Sequence, residues 1–251
     1  MRTPGGQVGA KLEGHAEVRL IIAAIIGSSL AVALWEFCRP RWQREFPALR
    51  RRLSNLGIWL ANLVLAAFSF ARPDTSRPEL EAAIDVGLPS WPIVNPWSSF
   101  VMAFLLLDFA LRSASLSACV PFLWRFHAMH HSDPDVDVTT SVRHHPIAYL
   151  MAAGFYWVVV LALDIPVAVT TIHALTVFAA ASVTHGNVKF PGWLERLLQP
   201  LVITLDLHLI HHSISSNEAN ANFGAVLSVW DRLFGTLSDF PTAGPAPLRR
   251  L

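Results

Sequence analysis

Apolar and polar positions fall along this chain in long blocks, not in the short periods of a soluble domain. A helix that spans a bilayer needs roughly 20 mostly apolar residues. Val18–Phe37 meets that requirement, and Asn55–Ala71 is shorter but nearly free of charge. Ser98–Ala118 is long enough, although it carries Asp108 and Arg112. Ile147–Leu163 and Pro166–Val183 are two shorter runs joined by Asp164-Ile165-Pro166, which predicts a hairpin turn. No A-x-A cleavage site follows the first run, and Arg39-Pro40-Arg41 comes directly after it. It reads as a retained anchor, not a cleaved leader. The pattern predicts an all-α integral membrane protein with four to five membrane-embedded helical segments.

Charge orients those segments. The loop after the first run holds Arg39, Arg41, Arg44, Arg50, Arg51 and Arg52 against Glu45 alone. The next loop, 72–97, is rich in proline and acidic. The positive-inside rule puts the arginine loop in the cytoplasm and the acidic loop outside. Counting spans from there brings the region after Ala118, and the region after the hairpin, back to the cytoplasmic face. Composition agrees with a membrane protein: 53% of residues are hydrophobic and 15% charged, against about 25% charged in soluble domains. A net charge of +1 gives no argument for a nucleic-acid partner, and the arginine run is a juxtamembrane feature. Two cysteines make no disulfide framework.

The chemistry lies in the cytoplasmic segments. FHAMHHS at 126–132 and LHLIHHS at 207–213 both spell His-x-x-His-His-Ser. On a helix, positions i, i+3 and i+4 share a face. His127, His130 and His131 would therefore point one way, as would His208, His211 and His212. Two such faces turned toward each other could hold one or two metal ions, and neutral imidazole suits iron, zinc, copper and nickel. In SVRHHP, His144 and His145 precede Pro146, where the chain should be extended or turning. VTHGNVKFP puts His185 at the end of the last apolar run, beside a Gly-Asn turn signal. His173 sits in the middle of a span, either functional or simply bonded to a neighbouring helix.

The stretch from Asp108 to Leu237 resembles the fatty acid hydroxylase superfamily, which includes sterol desaturases. The matching text is PFLWRFHAMHHSDPDVDVTTSVRHHP, THGNVKFP, ITLDLHLIHHS and NFGAVLSVWDRLFGT. The resemblance implies a membrane oxygenase with a cytoplasmic, histidine-rich helical cap over a two-metal site. It implies as metal ligands His127, His130, His131, His145, His185, His208, His211 and His212, with His144 ranked below them. The implied cofactor is iron, as two ions or one, with zinc able to substitute. The implied partners are the bilayer, a lipid substrate (fatty acyl or sterol-like) and an external electron donor. The chain then divides into a mobile head (1–17), membrane helices and loops (18–97), a fatty acid hydroxylase-like domain (98–240) and a tail (241–251). A bacterial inner membrane or the endoplasmic reticulum would house it.

One part of the family pattern is absent. An Asp near the end of the preceding span is normally followed by a His-x-x-x-His box. Here its positions fall on Ser115 and Cys119, or on Ala114 and Ala118, and no histidine lies between His15 and His127. Losing two imidazoles should strip much of the shell from one metal. Arg112, four residues after Asp108, is placed to pair with it along the helix. Ala148 stands where the family often has Glu. Two readings stay open: a working lipid oxygenase with an altered shell, or a pseudoenzyme of the same fold that binds lipid or an active relative.

Overall fold

The structure is a computed structural model. It describes residues 4–70, 95–213 and 215–239, with side chains from Arg19 onward except at a few positions. The tail 241–251 and most of the acidic loop lie outside the described residues.

The described chain is helical throughout, with no strand beyond one isolated antiparallel bridge between Val202 and Leu227. In chain order the helices are α1 (Pro4–Cys38), α2 (Ala48–Phe70), α3 (Pro96–Ser115), α4 (Pro121–His131), α5 (Pro146–Ala162) and α6 (Val167–Thr184). The short helices α7 (Gly192–Leu198), α8 (Leu205–His211), α9 (Ser216–Ala219) and α10 (Val229–Leu233) follow. Two 3₁₀ turns, Leu116–Cys119 and Val138–Val142, flank α4. α1 extends back to Pro4, so most of the stretch read as a mobile head is helical. A long apolar helix propagates into its flank at little cost where no proline interrupts it.

Among the described residues, three helical stretches are long and apolar enough to cross a membrane: Arg19–Cys38, Trp97–Ser115 and Val167–Thr184. They make the chain an integral membrane protein. α5 is apolar but shorter, and α2 is not among the three. Leu20, Leu30, Leu34 and Phe37 of α1, with Phe68 of α2, are largely exposed, the arrangement expected of lipid-facing positions.

Local sequence sets the helix ends. Asn95 caps α3, its side chain accepting from the Trp97 N–H, and Pro96 takes the first turn. Pro121 and Pro146 open α4 and α5 in the same way. The predicted hairpin turn lies between α5 and α6, with Asp164 at φ 46°, a conformation that Asp tolerates better than most residues. Ile165 is fully buried there and packs with Val160, Val169, Ala103 and Leu107, which joins α3 to both arms.

Beneath the apolar helices lies a buried ionic layer. The turn after α4 carries Asp133, Asp135 and Asp137, all buried. Arg51 reaches both oxygens of Asp133 (3.0 and 2.9 Å) and also pairs with Asp137. Arg52 Nε donates to Asp137 at 2.8 Å, and the backbone of Glu45 and Phe46 donates to Asp135. Glu36, at the end of α1, accepts from Arg44 and Arg52 and from the N–H groups of Val138 and Asn187. Burial alone would raise the Asp137 carboxyl, but the Arg51 guanidinium holds it below its ordinary value. Three of the loop's arginines are thus a fold-closing feature as well as a juxtamembrane one.

Candidate metal centre

Each histidine is placed by the element that carries it. α4 ends on the first triplet and α8 on the second. His185 is the residue that ends α6, where Gly186 and Asn187 turn the chain. The three elements meet, and seven imidazoles converge as two groups.

In the first group are His130, His185, His208 and His212; in the second are His127, His131 and His211. Within the first, Nε2 atoms lie 3.0 Å apart for His130 and His185, 2.9 Å for His185 and His208, and 3.2 Å for His208 and His212. Within the second, the separations are 2.9 Å (His127–His131), 3.2 Å (His131–His211) and 3.4 Å (His127–His211). A metal–nitrogen distance of about 2.0–2.1 Å puts neighbouring ligand nitrogens about 2.9–3.4 Å apart at angles from square to tetrahedral. Both groups match that spacing.

The proton positions fit the same purpose. His185 Nδ1 faces the Ala181 carbonyl at 2.7 Å, His130 Nδ1 the Arg143 carbonyl at 3.3 Å, and His211 Nδ1 the Ala221 carbonyl at 3.0 Å. A carbonyl only accepts, so each Nδ1 carries the proton and each Nε2 presents a lone pair. The Nε2 lone pairs of His130 and His185 then face each other at 3.0 Å. That contact is repulsive unless a cation lies between them. Burial, reinforced by the neighbouring imidazoles, holds His130, His208 and His212 well below the ordinary histidine pKa, and burial pushes His185 down to about 3. These rings are neutral at physiological pH, the state in which imidazole ligates. The donor set fits a metal.

Two candidates stand apart from both groups. His145 caps α5, its Nδ1 accepting from the Ile147 N–H at 3.2 Å, and its ring packs on Phe126. His144 donates from Nε2 to the Ser141 carbonyl and stacks on His130, with centroids 4.8 Å apart. Of the adjacent pair, the one ranked lower in the sequence lies against the site. Pro146 explains this, because starting α5 there turns His145 into its cap. His173 is fully buried and bonds the Tyr156 hydroxyl of α5 at 3.1 Å, the helix-bonding option.

Among the described residues, the segment where the missing box would lie brings no ligand to either group. Ser115 Oγ donates to the Leu111 carbonyl, and the Cys119 sulfur lies 4.0 Å from Asn220 Oδ1. Nor do Asp108 and Arg112 show the expected pairing. Asp108 accepts from the N–H groups of Val226 and Leu227 and from the Trp230 indole at 2.9 Å. Arg112 lies 3.6 Å from Asp231, donates to Thr236 Oγ1 at 2.8 Å, and stacks over Phe234. Both therefore clasp the Trp230–Thr236 motif to α3, and the guanidinium is engaged there. Buried partners in another element outcompeted the i, i+4 pairing. Asp231 also accepts from Gly224 N at 2.7 Å. A Cβ on Gly224 would lie 2.5 Å from the Leu227 carbonyl oxygen, so only glycine fits. Asn222, at φ 55°, ties the Leu207 carbonyl of α8 to Ser238. What sequence reasoning missed is this supporting frame. The ionic layer was missed as well, and its signals were the D-x-D-x-D run after the first triplet and the arginines that precede it in the chain.

The comparisons agree with the geometry. The model of the fatty acid hydroxylase family matches residues 99–236. The ornithine lipid hydroxylase OlsE of Rhizobium tropici is 30% identical over 75% of this chain and 56% of its own length. The human alkylglycerol monooxygenase is 29% identical over 58% of this chain and 32% of its own. Human cholesterol 25-hydroxylase is 26% identical over 47% of this chain and 43% of its own. The chain thus spans about a third to a little over half of these relatives, and no solved structure matches it significantly. With the family model covering more than half of its residues and the histidines assembled at the matched segments, this chain belongs to the fatty acid hydroxylase family.

Proposed function

We propose that this chain is an iron-dependent, O₂-using lipid hydroxylase whose substrate reaches the histidine centre from the bilayer. The observation that carries the reading is the convergence of seven imidazoles into two metal-spaced groups beside apolar spanning helices. Names of the relatives favour hydroxylation over desaturation, and a lipid or sterol as the acceptor.

Bound iron would supply the activation of O₂ that attack on an unactivated C–H bond requires. The chain's own residues do the rest. The carbonyls of Arg143, Ala181 and Ala221 fix the tautomers that aim Nε2 inward. Beside the site, a groove of about 610 Å³ runs along α6, lined by Ala24, Ile172, Leu175, Ala179, Phe190 and Leu205 among others. Its size lies in the range of small-molecule sites. Its apolar walls suit an acyl chain, and Thr184 and Leu205 carry it to within a few residues of His185 and His208. The flavin, haem and iron–sulfur motifs that would let the chain supply its own electrons are not recognisable in its sequence, so an external donor completes the reaction. The arginine loop, by the positive-inside rule, supports a centre on the cytoplasmic face.

A second reading has one observation in its favour: among the described residues, the second group has three histidines where the first has four. On that reading the chain is a pseudoenzyme that binds lipid or an active relative. The test is to supply the iron-loaded full chain in lipid nanodiscs with O₂, a reductant, and ornithine lipid, an alkylglycerol or cholesterol in turn. Gain of one oxygen atom by a lipid, seen by mass spectrometry and lost in His130→Ala, is expected. No oxygenated product from any of the three with fully loaded protein would favour the pseudoenzyme.

A further inference from the structure

We propose that the short helices α7 and α10 lie in the bilayer surface, their apolar ridge sunk into the lipid leaflet on the side of the histidine centre. The ridge is Trp193, Leu197, Leu201, Val229, Leu233 and Phe234. The proposal depends on the spanning helices and not on the metals, and it goes beyond the functional reading by giving these segments a membrane contact of their own.

The argument starts from an inversion. A helix on the surface of a soluble domain turns its leucines inward and its charges outward. α7 does the opposite: Trp193 and Leu197, one turn apart, are 62% and 63% exposed, while Glu195 is 5% exposed. Leu201, in the turn that follows, is exposed as well. α10 repeats the inversion, with Val229, Leu233 and Phe234 exposed and Asp231 fully buried. The two helices form one surface. The Gln199 carbonyl, just after α7, accepts from the Ser228 hydroxyl at 2.7 Å and from the Arg232 guanidinium at 3.1 Å. The Ser228 N–H donates to the Leu201 carbonyl at 3.1 Å. An apolar surface of this kind marks an interaction site.

Continuity with the spans says what covers the ridge. Phe234 stacks on Phe109 of the spanning helix α3, with centroids 5.7 Å apart, and Trp230 lies 5.2 Å from the same ring. On the other side, Leu198 of α7 lines the apolar groove together with Ala24 of α1 and Ala179 and Val183 of α6. α7 therefore sits at the level where α6 leaves the bilayer. Charge agrees: Lys189 and Arg196, on either side of Trp193, are exposed, and the one acid between Lys189 and Leu201, Glu195, is buried. Tryptophan at the bilayer boundary, leucines below it and basic groups beside it suit an interfacial helix on anionic lipid. On this placement α7 forms the lip between the leaflet and the groove.

The test is spin labelling of the full chain in nanodiscs of phosphatidylethanolamine and phosphatidylglycerol. The exposed Cys38 and Cys119 are first replaced by serine. Single label sites are then made by Leu197→Cys, by Leu233→Cys and, as a control at an exposed position in the arginine loop, by Gln43→Cys. Oxygen concentrates in hydrocarbon and a charge-neutral nickel chelate in water, so the two relax a label according to its surroundings. Oxygen should dominate at positions 197 and 233, and the nickel chelate at position 43. Leu201→Cys stands in for either ridge variant that does not fold. Nickel dominating at either ridge position would put the ridge in water and overturn the proposal. Shielding from both reagents would mean that protein, a second copy or another chain, covers the ridge, and would overturn it too. Either failure leaves the metal centre standing, because no labelled position belongs to the histidine groups.

Discussion

The two histidine triplets are nearly the same word, yet the structure gives them different company. The triplet at the end of α4 is backed by the ionic layer: Arg51 and Arg52 hold the aspartates that follow it, and Arg143 donates to the Met129 carbonyl within it. The triplet at the end of α8 is backed by the chain's C-terminal clasp, through Asn222, Asp231 and the pairing of 201–203 with 226–228. One support comes from residues some 80 positions earlier in the chain, the other from residues just after. Similar histidine sets can thus be positioned by unrelated means, and the two means should fail separately.

The largest failure should come from Arg51→Ala. It leaves Asp133 and Asp137 buried without their main cation, and breaking a buried pair costs about 3–5 kcal/mol. Thermal unfolding in detergent should show a large loss, with both metal sites lost because α4 feeds each of them. Arg112→Ala should cost less, about 1.5–3 kcal/mol, because Asp231 keeps the Gly224 N–H and the Thr236 hydroxyl. A loss as large as that of Arg51→Ala would show that the two supports are one unit.

Acid sharpens the same contrast. The Asp137 carboxyl is depressed in the folded chain, so the stability it contributes is present above the ordinary carboxylate pKa and disappears as pH falls through the folded value. Unfolding temperature against pH should therefore hold steady down to the ordinary carboxylate range and fall below it. In Arg51→Ala burial would dominate and raise the Asp137 carboxyl, so this contribution to the acid loss should disappear and protonation as the pH falls should instead recover part of the lost stability. The smallest effect should be that of His145→Ala: loss of an N-cap bond, about 1 kcal/mol, with metal content unchanged. Metal lost with His145 would make it a ligand after all.

The sequence made some of this legible and hid the rest for physical reasons. The triplets stood out because helical spacing is local, and His185 because Gly186 and Asn187 signal a turn. The division of each triplet between two sites was not legible, since it depends on how α4 and α8 face each other. Arg112 was assigned to Asp108 because four residues of separation is all that sequence shows; Asp231 is more than a hundred positions away. His145 was preferred to His144 by family pattern, while the cap geometry set by Pro146 placed His144 beside His130 and left His145 outside.

The most direct test of the metal centre is elemental analysis of the full chain purified from iron-replete cells, wild type beside the double variant His130→Ala/His211→Ala. The two changes take one crossing imidazole from each site. The account predicts at least one iron per wild-type chain and essentially none in the double variant, with helical content preserved by circular dichroism. Equal iron in both proteins, or none in a wild-type chain loaded anaerobically with ferrous iron, would contradict it.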